Sequence, residues 1–495
     1  MVEEVAGDAR AREDDPRLGL ERLELLVACG EVRQEERPDL RRPGEVGGLT
    51  RRGVTPLVRL GFELLGCGRL VDEQGGAVRE PADLVVTDLS EVVTLSAGPV
   101  PRQGAAMQEL GRVPDAAVAV SGGRFVWVGP ERALARNVRL RSGGRRLAGG
   151  GGTLVPGFVD AHTHALFAGD RAFELPLKAA GMDYGEIARQ GGGLYATVRA
   201  TRAASDPELV RAAAARLRRM AAFGTTTVEV KSGYSLDHAG ELRLLRLLPR
   251  LARRTGLTVV PTFLGAHAVP PEFAGRPGAY VDQIVRRTLP AVARERLARF
   301  CDVFCEPGFF TVPQSERILR SARALGLGLK VHADEFVLSG GARLAARLGA
   351  RSADHLLATP APDRERLAAA GVIAVLLPLT AFAASTARRT PAREMVDAGV
   401  PVALGTDCSP NSWVESMPLV LAHAVHGGRL TPAEALTAAT VNAAAAVEAE
   451  GAGTVAPGRA ADFAVFAVPS ADHLGYRFDA VPELVYRQGK SISSA

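Results

Sequence analysis

Lysine is almost missing from this chain. Of 60 basic residues among 495, only Lys178, Lys231, Lys330 and Lys490 are lysines, and 55 acidic residues leave a net charge of just +5. A balance this even argues against nucleic acid as a partner, and the arginine bias reads as genome composition rather than function. Cysteine is scarce as well. Cys29, Cys67, Cys301, Cys305 and Cys408 form no pair of CxxC motifs, and five is an odd number for disulfides. A zinc-ribbon or disulfide scaffold is thereby excluded, and a reducing cytoplasm is the expected compartment. No stretch reaches the roughly 18 consecutive apolar residues of a membrane span. Glu3, Glu4 and Asp8 stand where a secretory signal would carry a basic region before an apolar one.

What is present suits a globular protein, with 47% hydrophobic and 23% charged residues. Residues 1–80 mix Arg, Glu, Gly and Pro with short apolar patches and contain no motif, so they read as a poorly ordered extension. From residue 81 to 152 the texture is strand-like, as in Leu84-Val85-Val86-Thr87 and Phe125-Val126-Trp127-Val128 after the turn at Gly122-Gly123. Residues 451–495 repeat that style in Asp462-Phe463-Ala464-Val465-Phe466, so the two flanks are expected to build one small composite β-sandwich. Between them, over 153–450, eight apolar strand candidates alternate with helical segments, near 155–162, 226–231, 258–265, 301–306, 328–333, 352–356, 372–378 and 401–407. Such alternation predicts an α/β fold, and eight strands close a TIM-type (β/α)8 barrel. Helix starts agree, with a cap at Ser205-Asp206-Pro207-Glu208 and a capping box at Thr431-Pro432-Ala433-Glu434.

The first of those strands ends in Asp160-Ala161-His162-Thr163-His164. Two histidines separated by one residue point the same way on a strand and can bind one cation together. His332, His355 and Asp407 each end a later strand, and barrel topology gathers strand C-terminal ends at one mouth. A lone histidine in such a place is more often a hydrogen-bonded structural residue than a ligand; the series in matching positions is what points to a metal. A cation held by imidazoles and a carboxylate lowers the pKa of water and polarises a carbonyl, which makes hydrolysis the expected chemistry. Glu335, three residues past His332, is placed to orient or deprotonate water, and Asp407 suits both metal binding and proton transfer. Arg171 offers a bidentate grip on a substrate carboxylate. Tyr234 and His267, ending the second and third strands, are candidate hydrogen-bond partners of a polar ligand.

Two other features are read differently. Gly191-Gly192-Gly193 lacks the following Lys-Ser/Thr of a phosphate loop and is expected to form a lid. Lys231, on the second strand, suggests a carbamylated bridge to a second metal; Glu306, ending the fourth strand, is the better bridging candidate, and one metal is preferred.

From about Ala82 to Lys490 the chain resembles the imidazolonepropionase family of the amidohydrolase superfamily. The resemblance rests on Asp160-Ala161-His162-Thr163-His164 with Phe167-Ala168-Gly169-Asp170-Arg171, on Glu229-Val230-Lys231-Ser232-Gly233-Tyr234, on Gly265-Ala266-His267-Ala268 and on His332-Ala333-Asp334-Glu335. It implies hydrolytic opening of 4-imidazolone-5-propanoate to N-formimidoyl-L-glutamate, by a homodimer with one Zn or Fe ion per subunit. It further implies His162, His164, His332 and Asp407 as ligands, Glu335 and His355 as the groups that position and activate water, and Arg171, Tyr234 and His267 around the substrate. Ser409, Asn411 and Ser412 fall where the family commonly shows Asn-Pro-Gly-Ser after the last strand, so Ser409 replaces an amide and Asn411 a glycine. Substrate preference is where that departure bears. A deaminase of a cyclic amidine, a lactam hydrolase and a non-catalytic barrel scaffold are the competing expectations.

Overall fold

The computed structural model describes residues 79–182, 184–384 and 388–492. The extension expected over 1–80 lies, apart from Arg79 and Glu80, outside the described residues. Four strands come first: β1 (Glu80–Val93), β2 (Arg112–Ser121), β3 (Arg124–Pro130) and β4 (Val138–Pro156). Gly122 and Gly123, both at positive φ (56° and 77°), make the two-residue turn between β2 and β3 that suits the twist of a hairpin.

The barrel strands are β5 (Phe158–Asp160), β6 (Thr225–Lys231), β7 (Thr258–Ala266), β8 (Phe300–Cys305), β9 (Gly328–Ala333), β10 (Ser352–His355), β11 (Ile373–Leu376) and β12 (Val402–Leu404). They lie parallel in sequence order in one eight-stranded sheet. Helices cover the outside and side chains fill the inside, which explains why the strands read as nearly continuous apolar runs. Backbone hydrogen bonds draw the two edges together: Ala161 N–H reaches Leu404 C=O at 3.5 Å, Asp407 N–H reaches His162 C=O at 3.0 Å and His164 N–H reaches Cys408 C=O at 3.0 Å. The expected helix starts are present. Ser205 N–H donates to the Glu208 carboxylate at 2.8 Å before the helix Asp206–Ala222, and Thr431 and Glu434 satisfy each other's N–H groups at 2.8 and 3.2 Å.

Strands β13 (Phe463–Phe466), β14 (Pro482–Arg487) and β15 (Lys490–Ser491) return to the first group, giving a seven-stranded sheet in the order β15-β14-β13-β4-β1-β2-β3. The composite sandwich is one curled sheet rather than two separate ones. Its β3 edge bends back to the segment entering β13, where Arg124 pairs with Ala460 and Phe125 N–H donates to Arg459 C=O at 2.9 Å. That curl encloses Leu84, Val86, Val118, Val120, Phe125, Phe463 and Tyr486, the last two stacked at 5.0 Å.

One boundary differs from the reading of the sequence. The run from Leu154 to Asp160 looks like a single strand, but Leu154–Pro156 pairs with β13 while Phe158–Asp160 begins the barrel. Gly157 makes the changeover possible, because a Cβ there would come within 2.3 Å of the Thr226 side chain.

Candidate metal centre and substrate pocket

The seam that draws the barrel edges together also builds the centre. The ladder from Asp407 N–H to His162 C=O sets the end of β12 beside the two histidines that follow β5. Nε2 of His162 and Nε2 of His164 are 3.2 Å apart, and Nε2 of His332, from β9, lies 3.3 Å from that of His164. All three rings are buried, and one donor atom from each falls within 4.8 Å of the others. Oδ1 of Asp407 approaches His162 and His164 at 3.6 and 3.5 Å, while its Oδ2 accepts a hydrogen bond from the Thr380 hydroxyl at 2.8 Å.

Beneath the imidazoles lies a layer of charges. Nδ1 of His162 donates to Asp354 at 2.5 Å, and Nδ1 of His332 is 3.0 Å from Oδ2 of Asp302. A proton held on Nδ1 leaves Nε2 with its lone pair facing inward, the arrangement by which carboxylates orient metal-binding histidines. Lys231 is buried at 2.8 Å from both Glu229 and Asp302 and 3.7 Å from Asp354. Burial works against its charge, but Asp302, Glu229 and Asp354 outweigh it and raise the ammonium above its ordinary range. Lys231 is therefore the counter-charge of the orienting carboxylates. Glu306 is placed by its backbone contacts: its Oε1 accepts the N–H groups of Phe336 and Val337 at 3.0 and 2.8 Å.

A divalent cation fits this donor set. Burial first, then Lys231 and the other imidazoles, hold His162 well below the usual histidine range; burial and His267 do the same for His164, so both are neutral, the form that binds metals. Burial pushes Asp407 up to about 6, and its Oδ1 has no hydrogen-bond donor. A buried carboxylate oxygen facing neutral imidazoles is costly unless a cation joins them.

Above the imidazoles opens a cavity of about 460 Å³. His164, His332, His355, Asp407, Glu335, Arg171, Tyr234, His267, Ser409 and Asn411 all line it. His162 lies below the surface, and Ser412 does not reach it: its N–H donates to Ser409 Oγ at 3.2 Å and its C=O accepts from Ser409 N–H at 3.0 Å, so it shapes the turn that presents Ser409. His267 stacks on His164 at 4.9 Å, and its Nδ1 is 3.0 Å from the Gly233 carbonyl. Burial pushes His267 down to about 3. Nε2 of His355 stands 3.7 Å from Oε2 of Glu335. Burial, then Asp407 and Glu306, raise Glu335 well above the usual carboxyl range.

Arg171 is held by Glu174, whose oxygens accept from Nε and Nη2 at 2.7 Å each; the same carboxylate also accepts the N–H of Gly193 at 2.7 Å. The triple-glycine segment is thus tied to the arginine at the start of the helix Gly193–Ala203. Glu174, Lys178, Thr380, Asp302 and Asp354 escaped the sequence reading. Asp302 carried a usable signal, since it sits inside a strand otherwise composed of Phe, Val and Cys, whereas Asp354 is overshadowed by the adjacent His355.

The amidohydrolase family profile matches residues 176–492. The chain is 49% identical to the imidazolonepropionase of Symbiobacterium thermophilum over 417 residues, covering 83% of this chain and 97% of that protein. It is 44% identical to the imidazolonepropionase of Herpetosiphon aurantiacus over 424 residues, again 83% and 97%. Among solved structures it superposes on a zinc-bound adenosine deaminase from Xanthomonas campestris with a TM-score of 0.60 at 20% identity, over 84% of this chain and 93% of that one. An N-isopropylammelide isopropylaminohydrolase from Burkholderia multivorans gives 0.60 at 20% identity, over 82% and 97%. The structural matches share the barrel and its attached sheet, whereas the sequence matches run nearly end to end through the relatives, and on that ground the chain belongs to the imidazolonepropionase family of the amidohydrolases.

Proposed function

We propose that this chain hydrolyses 4-imidazolone-5-propanoate to N-formimidoyl-L-glutamate, the third step of histidine degradation, as a cytoplasmic homodimer. The observation that carries the reading is one cavity holding both a buried metal-type donor set and an anchored arginine, which suits a small anionic cyclic amide. His162, His164, His332 and Asp407 would hold one Zn or Fe ion, and their nitrogen and carboxylate donors suit either metal. Such an ion supplies Lewis acidity to the carbonyl and makes water acidic enough to deprotonate near neutral pH.

The remaining steps belong to the chain's own groups. Arg171 meets the propanoate, and Tyr234 and His267 bond the polar edge of the ring. Ser409 and Asn411 border the ring from the turn that Ser412 shapes. As the water oxygen bonds to the ring carbonyl carbon, Glu335 takes the water proton, and neutral His355 beside it keeps water and carboxylate in line. The carbon–nitrogen bond then breaks, the nitrogen receives a proton from Glu335, and the former carbonyl, a carboxylic acid that still holds the second water proton, releases that proton to solvent as the new carboxylate. Burial lets Glu335 hold that proton between the two events.

The test is steady-state turnover of freshly prepared 4-imidazolone-5-propanoate by metal-defined protein, with the product confirmed by mass. Turnover is expected, with a loss of at least about three orders of magnitude in His162→Ala together with its metal. Absence of turnover by folded, metal-loaded protein would overturn the assignment, and release of ammonia would point to a deaminase.

A further inference from the structure

We propose that Lys178 is a second cation of the substrate's anion site, its ammonium sharing the propanoate carboxylate with the Arg171 guanidinium. This deepens the functional reading above and rests on it. The charge of Arg171 is already engaged within the protein. Both Nε and Nη2 of Arg171 are engaged by Glu174 at 2.7 Å. Burial opposes the Glu174 charge, but the Arg171 and Gly193 hydrogen bonds outweigh it and hold the carboxyl below its ordinary range. The pair is thus an ionised couple with no net charge. An anion brought out of water beside it meets donors and an equal repulsion, so recognition of a propanoate needs another positive group.

Lys178 is that group. It stands on the short helix Leu175–Ala179, one turn beyond Glu174, and lines the same cavity as Arg171. Its Nζ reaches Oδ1 of Asn411 at 3.2 Å, so a neutral amide from the segment after β12 positions the cation without cancelling it. Burial and the neighbouring Arg171 both pull the Lys178 pKa down, and Glu174 only partly offsets them. A half-buried ammonium in that setting is stabilised by an incoming carboxylate. The carboxylates of the cavity act elsewhere: the charges felt by Glu335 are those of Asp407 and Glu306. Arg171 and Lys178 are thus, among the described residues, the two cations of a cavity that Glu335 and Asp407 also line.

The experiment compares wild-type holoenzyme with Lys178→Met, which keeps the stem but not the charge, and Lys178→Arg, which keeps the charge. Calorimetry reads binding of imidazole-4-propanoate and of its uncharged amide, and kinetics read KM and kcat for the imidazolone. Lys178→Met should weaken the acid and raise KM by about tenfold or more, with a smaller effect on kcat and an amide affinity within about twofold of wild type; Lys178→Arg should recover most of the loss. Unchanged acid binding in Lys178→Met would overturn the proposal, as would equal weakening of acid and amide, which signals lost packing. If wild type binds the acid but does not turn over the imidazolone, the functional reading fails while the acid-to-amide ratio still judges Lys178. Wild type that binds neither probe would overturn both.

Discussion

At the floor of the cavity His162, His164, His332 and Asp407 lie in a barrel strand or in a segment bonded through its backbone to the neighbouring strand, whereas along its wall Arg171, Lys178, Glu335 and Asn411 are placed by side-chain contacts. The floor inherits its geometry from the backbone ladder. His162, His332 and Asp407 converge because β5, β9 and β12 are parallel and the hydrogen bonds of the β12–β5 seam draw the barrel edges together. No such lattice positions the wall. There, individual carboxylates do the placing: Glu174 grips Arg171 and Gly193, Glu306 grips the backbone of Phe336 and Val337, and Glu241 accepts N–H groups from Gly233, Ser235 and Leu236 around Tyr234. The floor should thus fail through its buried charges and the wall through its staples.

The largest effect is expected at Lys231. Removing its ammonium in Lys231→Met leaves Glu229, Asp302 and Asp354 buried around a methyl group. Breaking a buried ion pair from one side costs about 3–5 kcal/mol, so the melting temperature should drop sharply or the chain should fail to accumulate. A melting temperature unchanged from wild type would mean that the floor does not depend on its charge layer, and the contrast with the wall would collapse.

A smaller loss is expected one step nearer the metal. Asp354→Asn keeps the shape but weakens the acceptor of the His162 Nδ1 proton, now 2.5 Å away. Loss of such an outer partner typically costs about 10–100-fold in metal affinity, measurable by competition with a chelator. The matching change on the wall, Glu174→Gln, should leave metal affinity alone and raise KM. Metal loss in Glu174→Gln would show that floor and wall are not separable.

The same contrast decides what could be read from the sequence. All eight barrel strands and the strand-end donors were legible, because alternation of strand and helix carries the topology and topology carries the convergence of His162, His164, His332 and Asp407. Arg171, Tyr234 and His267 were legible mainly through resemblance, since an arginine in an arginine-rich chain has no local mark of function. Lys178 and Glu174 were not legible at all. Their partners, Asn411 and Gly193, are distant or unremarkable in sequence, and only packing brings them together. Gly157 was misread for a related reason: the apolar run continues through it, and the close approach of Thr226 is a tertiary fact.

The most delicate test concerns Glu306, where placement and charge can be separated. Glu306→Ala removes the acceptor of two backbone N–H groups in the segment that carries Glu335, so kcat should fall by about tenfold with full metal content. Glu306→Gln keeps a carbonyl in the same place and should leave kcat within about threefold of wild type, since both bonds can still form. Its charge, however, is gone. Burial is the main reason that Glu335 sits above the usual carboxyl range, and Asp407 and Glu306 add to it by repulsion. Removing one repelling carboxylate stabilises the ionised form of Glu335 and lowers its pKa. If Glu335 is the base that takes the water proton, the limb of the kcat/KM profile that rises with pH must shift to lower pH in Glu306→Gln. A limb that stays in place, or moves upward, would assign that titration to another group and leave Glu335 as a residue of the wall rather than of the reaction.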